Sequence, residues 1–148
     1  MTAENLAEIV AANAAERERL RRVVAGLSDA DLARAVGSGW TIATVLAHLA
    51  FWDQCALIRL ERWERQAVPP SPTDVDVTNQ ALRALAAAIP PRAAAELAIA
   101  SAEAVDRKVE RLPSELARAL DEAGFGRNLR RSLHRRHHLD RVTQALAG

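Results

Sequence analysis

Tyrosine is absent from the chain, cysteine occurs once, at Cys55, and aromatic residues make up only 3% of it. A single cysteine excludes any intrachain disulfide and fits a reducing, cytoplasmic setting. No apolar run approaches the roughly 20 residues that a membrane-spanning helix needs, so no membrane partner is expected. The opening Met1-Thr2-Ala3-Glu4-Asn5 has no basic stretch followed by an apolar one, and it does not read as a signal peptide. An excess of one charge is missing too. Lys and Arg total 20 against 19 Asp and Glu, a net charge of +1, so nothing global attracts nucleic acid. There is no Gly-rich phosphate loop, no His-Glu-x-x-His, no Cys-x-x-Cys and no Ser-centred nucleophile elbow. The absence of paired Glu-x-x-His motifs argues against a carboxylate-bridged two-metal oxidase.

What is present favours helix. Half the chain is apolar, mostly Ala, Leu and Val, and Ala, Leu, Arg and Glu are all good helix formers. The length of 148 residues suits one domain, 1–148, with a sizeable core. Helical spacing of Leu6, Ile9, Val10, Leu20, Val23 and Val24 predicts a first helix from about Ala3 to Ala25, stopped by Gly26. Ser28 then reads as an N-cap followed by acidic first-turn residues, opening a short helix through Ala35 that Gly37-Ser38-Gly39 breaks. Thr41 caps a second long helix, expected to reach about Gln66, with a stripe through Ile42, Val45, Leu49, Trp52 and Leu60. Pro69-Pro70-Ser71-Pro72 makes a stiff connection. A third helix starts near Thr73 or Asp74 along Val77, Leu82, Leu85 and Ile89. Pro90-Pro91 interrupts it, and Pro91 also suits the first turn of a continuation. Leu97, Ile99, Val105 and Val109 extend the pattern to about Arg111, so the reading is a long third helix with a kinked or broken start. Pro113-Ser114-Glu115 opens a short helix to about Ala123, and a last helix runs from about Asn128 to Ala147. No segment reads as a strand. The expected fold is all-α: four main helices with short extra ones, packed antiparallel.

Three of the four histidines fall in Leu133-His134-Arg135-Arg136-His137-His138-Leu139-Asp140. On a helix His134 and His138 lie one turn apart on the same side, a spacing at which two imidazoles can share a metal. Such pairs are also common on polar helix faces, so spacing alone does not establish a site. His48, at the edge of the second helix's apolar stripe, is the remaining imidazole that can complete a three-histidine set, His48, His134 and His138. A half-buried histidine bonded to a carbonyl is its ordinary alternative. Val142 and Leu146 extend the apolar side nearest His138, which leaves His137 outside or at the surface. Asp53 and Asp140 are candidates to orient a ligand histidine, though a solvated carboxylate is the plainer reading of each. Cys55 reads as a buried inert thiol. Trp40, Trp52 and Trp63 read as core or pocket wall. The arginines of the last helix, Arg127 to Arg141, read as a solvated face. Three protein ligands with an open position are the pattern of catalytic zinc sites. The neutral imidazole donor suits zinc or nickel.

Two blocks carry a resemblance. Gly39-Trp40-Thr41 through Val45-Leu46-Ala47-His48-Leu49 to Trp52-Asp53, with Arg131-Ser132-Leu133-His134-Arg135 and His138-Leu139-Asp140, resemble the DinB-like superfamily, which includes mycothiol-dependent maleylpyruvate isomerases and bacillithiol S-transferases. The resemblance covers nearly the whole chain. It implies an up-down-down-up four-helix bundle holding one divalent metal, with His48, His134 and His138 in the ligand positions. It also implies activation of a low-molecular-weight thiol for transfer or isomerisation. His137 departs from the family pattern and adds a candidate fourth ligand. The chain also lacks the extra C-terminal domain of the maleylpyruvate isomerases, so a stand-alone bundle is expected. A metal-dependent thiol S-transferase or hydrolase is the leading expectation. Its rival is a non-catalytic helical bundle acting as a structural or interaction module. A homodimer through Ala-rich helix faces is compatible with either.

Overall fold

Ser28 and Thr41 both cap helices, as their sequence context predicts, in a computed structural model that describes residues 3–65 and 75–148. The elements run α1 (Ala3–Gly26), α2 (Asp29–Leu32), β1 (Ala35–Gly37), β2 (Trp40–Thr41), α3 (Ile42–Trp63), α4 (Val75–Ala86), α5 (Pro91–Glu110), α6 (Ser114–Glu122) and α7 (Arg131–Ala147). A single 3-10 turn, Gly126–Asn128, precedes α7. The fold is the expected all-α bundle, built from α1, α3, α5 and α7. No helix among the described residues is long and apolar enough to cross a membrane.

Two apolar clusters fix the helix directions. At one end Leu20 and Val24 of α1 meet Ile42 to Leu49 of α3, Ala95 to Ala102 of α5, and Leu139 and Val142 of α7. At the other end Leu6 and Ile9 meet Ala56 and Leu60, Val105 and Val109, and Leu129. Helices α3 and α5 therefore start at the same end and run parallel, while α1 and α7 run the other way. The result is up-down-down-up, as the resemblance implies, whereas the antiparallel packing read from the helix pattern fails for the α3–α5 pair. Parallel neighbours need a connection that returns along the bundle, and α4, which packs on α3, lies in it.

The third helical region, expected with a kinked or broken start, is broken into α4 and α5. Pro91 occupies the first turn of α5, where its missing N–H does no harm, and Pro90 stands outside it. The first half of the buried face of α5 is made of small residues, Ala94, Ala95, Ala98 and Ala102, so its Ala-rich side is used inside the chain. Leu85 and Leu97, expected on apolar faces, are exposed. Helix α3 ends at Trp63, short of Gln66. Gln66, the Pro69–Pro72 connection and the expected helix start at Thr73 or Asp74 lie outside the described residues.

The expectation of no strand is also overturned. Ala35 pairs with Thr41 and Gly37 with Trp40 in a small antiparallel hairpin, which ends α2 at Leu32 instead of Ala35. Strands of three and two residues are too short to display alternation. The turn holds Gly37, Ser38 and Gly39 at φ of 96°, 53° and 76°, a left-handed region open to glycine. A Cβ on Gly39 would stand 3.3 Å from the Arg83 guanidinium of α4, which donates to the Ser38 carbonyl at 2.9 Å. Gly39→Ala is expected to cost about 1–2 kcal/mol through its backbone alone, seen as a lower urea midpoint. An unchanged midpoint would contradict this account of the turn.

Helix α7 begins at Arg131, three residues later than expected, because the chain first makes the 3-10 turn. Buried Asn13 of α1 bridges the break. Its amide donates to the Leu129 carbonyl at 2.7 Å, and its oxygen accepts from the Ser132 N–H at 2.8 Å.

Candidate metal centre

The hairpin delivers Thr41 to the start of α3. There the Thr41 hydroxyl accepts from the Thr44 N–H at 3.3 Å and the Thr44 hydroxyl accepts from the Thr41 N–H at 2.9 Å. This reciprocal cap fixes where α3 begins, and so fixes the depth of His48 two turns further on. All residues from Ile42 to Ala50 are buried, His48 among them. Its ring stands edge-on to Trp40, with centroids 5.4 Å apart, and to Trp52, at 6.4 Å.

Helix α7 presents His134 and His138 to the same point. His134 Nε2 lies 3.2 Å from His48 Nε2. The His138 ring centroid is 4.6 Å from that of His48 and 4.8 Å from that of His134. One nitrogen from each of the three residues falls within 4.8 Å of the others. Burial is the main reason all three resist protonation. It pushes His48 down to about 4, with help from nearby Arg131 and Arg141. It takes His134 to about 2, aided by Arg131 and the other two rings, and His138 to about 3, aided by His48. At neutral pH the cluster is uncharged and every ring offers a lone pair. His48 Nδ1 and His138 Nδ1 are buried with no hydrogen-bond partner among the described residues.

The family model for the mycothiol maleylpyruvate isomerase N-terminal domain matches residues 13–144. The chain belongs to this family. The match spans His48, His134 and His138. No curated protein and no solved structure matches the chain.

In this member of the mycothiol maleylpyruvate isomerase N-terminal domain family, the donor set fits a divalent ion. Zinc–nitrogen bonds of 2.0–2.1 Å place two tetrahedral ligand nitrogens about 3.3 Å apart, close to the 3.2 Å between His48 and His134. Neutral imidazoles need shed no proton before offering a lone pair. The cluster forms one wall of a cavity of about 640 Å³, with Trp52, Val75 and Leu133 as apolar lining and Arg127 and Arg130 as cationic lining.

The other sequence candidates divide. His137 lines the cavity, exposed, with its ring 4.9 Å from His138, and it is not one of the converging set. Asp140 pairs with Arg19 at 2.7 Å on the surface. Cys55 is half-buried, and burial pushes its thiol up from the ordinary value. Trp63 packs on Phe125. Asp53 reaches no histidine; it accepts from Arg131 Nε at 2.7 Å and from Arg135 Nη2 at 3.0 Å.

Arg131 and Arg135 are where the expectation of a solvated basic face fails. Both are buried, and Arg135 is 0% exposed. Its guanidinium also binds Asp106 of α5, at 2.8 and 2.9 Å. Arg131 Nη2 lies 3.1 Å from His134 Nδ1. A signal was present in the sequence: Arg131, Arg135 and Leu139 recur at helical spacing in line with Val142, which was read on the apolar side. Asp53, on the inner side of α3, was the matching charge.

Proposed function

We propose that the chain is a cytoplasmic, metal-dependent thiol transferase or hydrolase that holds one zinc or nickel ion through His48, His134 and His138. One observation carries this reading: three uncharged imidazoles converge on the wall of a 640 Å³ cavity, not inside a sealed core. Such an ion, when bound, supplies a Lewis acid at which a thiolate or hydroxide persists at neutral pH. The chain's own residues do the rest. Trp52, Val75 and Leu133 give the substrate an apolar wall and limit water. Trp40 and Trp52 hold the His48 ring edge-on. Arg127 lines the same space as a cation that would attract a negatively charged group, while Arg130, also in the lining, is already paired with Asp121. Family membership favours mycothiol as the thiol.

Elemental analysis of protein purified without a histidine tag tests the reading. One metal per chain is expected in the parent. Less than a tenth of that is expected in His48→Ala and in His138→Ala, since two imidazoles hold a divalent ion far more weakly than three. No metal in the parent after incubation with zinc and with nickel would sink the proposal. Openness is read separately: a cobalt-loaded parent should change its visible spectrum when a small thiol such as N-acetylcysteine is added.

A further inference from the structure

We infer that Arg131 dictates which ring nitrogen of His134 carries the proton, making His134 the contested ligand of the three; this rests on the metal reading above. Arginine has five N–H donors and no acceptor. With Arg131 Nη2 at 3.1 Å, His134 Nδ1 must accept and is bare. A neutral imidazole has one N–H, which therefore sits on Nε2. That atom faces His48 Nε2 at 3.2 Å, so His134 donates and His48 accepts. The His48 proton is thereby sent to Nδ1, the atom left buried without a partner among the described residues.

A histidine that coordinates through Nε2 needs the opposite arrangement, with the proton on Nδ1 and donated to an acceptor. Arg131 offers a donor there instead. It is also held in place: Nε donates to Asp53 at 2.7 Å, Nη1 donates to the Arg127 carbonyl at 3.3 Å, and the side chain is almost wholly buried. Asp53 is itself clamped by Arg135. Among the described residues no such donor stands at Nδ1 of His48 or of His138. The site thus has two uncontested imidazoles and a third whose metal-binding form Arg131 opposes. Arg131 is a positioning residue that tunes metal retention.

Two measurements test this. Long-range nitrogen–proton NMR on the metal-free parent should find the His134 proton on Nε2. Cobalt(II) titration should find Arg131→Gln binding about tenfold to a hundredfold more tightly than the parent, the scale of such outer contacts. A residue that merely braced the ring would give the opposite sign on removal. Weaker cobalt binding in Arg131→Gln, or a proton on Nδ1 in the parent, overturns the inference. If the variant fails to fold, the proton position in the parent decides. Cobalt on neither protein overturns it together with the metal reading, whereas failure of this inference alone leaves cobalt bound to the parent.

Discussion

Arg135→Met will destabilise the bundle by about 3–5 kcal/mol, the usual result of removing one partner from a buried ion pair. The side chain is 0% exposed. It donates to Asp53 at 3.0 and 3.1 Å and to Asp106 at 2.8 and 2.9 Å, with longer bonds to the carbonyls of Asn13 and Ala102. One guanidinium therefore ties α7 to α3, α5 and α1. Burial already lifts the Asp106 carboxyl above its ordinary value, against the pull of Arg135 and Arg17. Without Arg135 that carboxyl will take up a proton at higher pH still. Methionine fills the volume but leaves two carboxylates facing one another with only Arg131 and Arg17 beside them. Arg135→Lys should recover only part of the loss, because an ammonium cannot reproduce the planar fork. The readout is the urea midpoint with m unchanged. A loss below 1 kcal/mol would mean the network does not hold the helices together.

The metal-free protein is expected to unfold in mild acid, at a pH where its carboxylates are still largely ionised. The three histidines titrate near 6.5 when unfolded and at about 4, 2 and 3 when folded. Above 6.5 neither state binds these protons and stability is full. As the pH falls below 6.5 the unfolded chain takes them up and the folded one does not, so stability drops until the folded values are reached. Three protons amount to about 4 kcal/mol per pH unit, against a total of about 5–15 kcal/mol for an ordinary domain. The unfolding midpoint of the metal-free protein should lie between pH 6 and 4. Saturating zinc should move it downward, since only the folded state assembles the site. Unfolding free energies measured between pH 6 and 5 give the proton number directly. A slope below one proton would show that the histidines are not buried in their neutral form.

The site was more legible in the sequence than the network that holds it. His134 and His138 are four apart, His48 borders an apolar stripe, and Thr41 marks the start of α3. Those local features mark three candidate rings, and the packing of α7 on α3 brings them together. The parallel α3–α5 pair was legible only through the family resemblance and not in the helix pattern, because Pro90-Pro91 is compatible both with a kinked helix and with a new one. Only packing across the bundle selects the break. The hairpin at Ala35–Thr41 escaped because its strands are too short for a period to register. Arg131 and Arg135 escaped for a different reason. Charge is expected at the surface, and what reverses this is a partner 78 to 82 residues away, Asp53.

His48 and His134 are separated by 86 residues, with α4, α5 and α6 between them. During synthesis the first imidazole therefore emerges long before the other two. An ion held by all three could be captured only after α7 has emerged and docked on α1 and α3. Metal uptake through all three imidazoles would in that sense report that α7 has reached its place in the bundle.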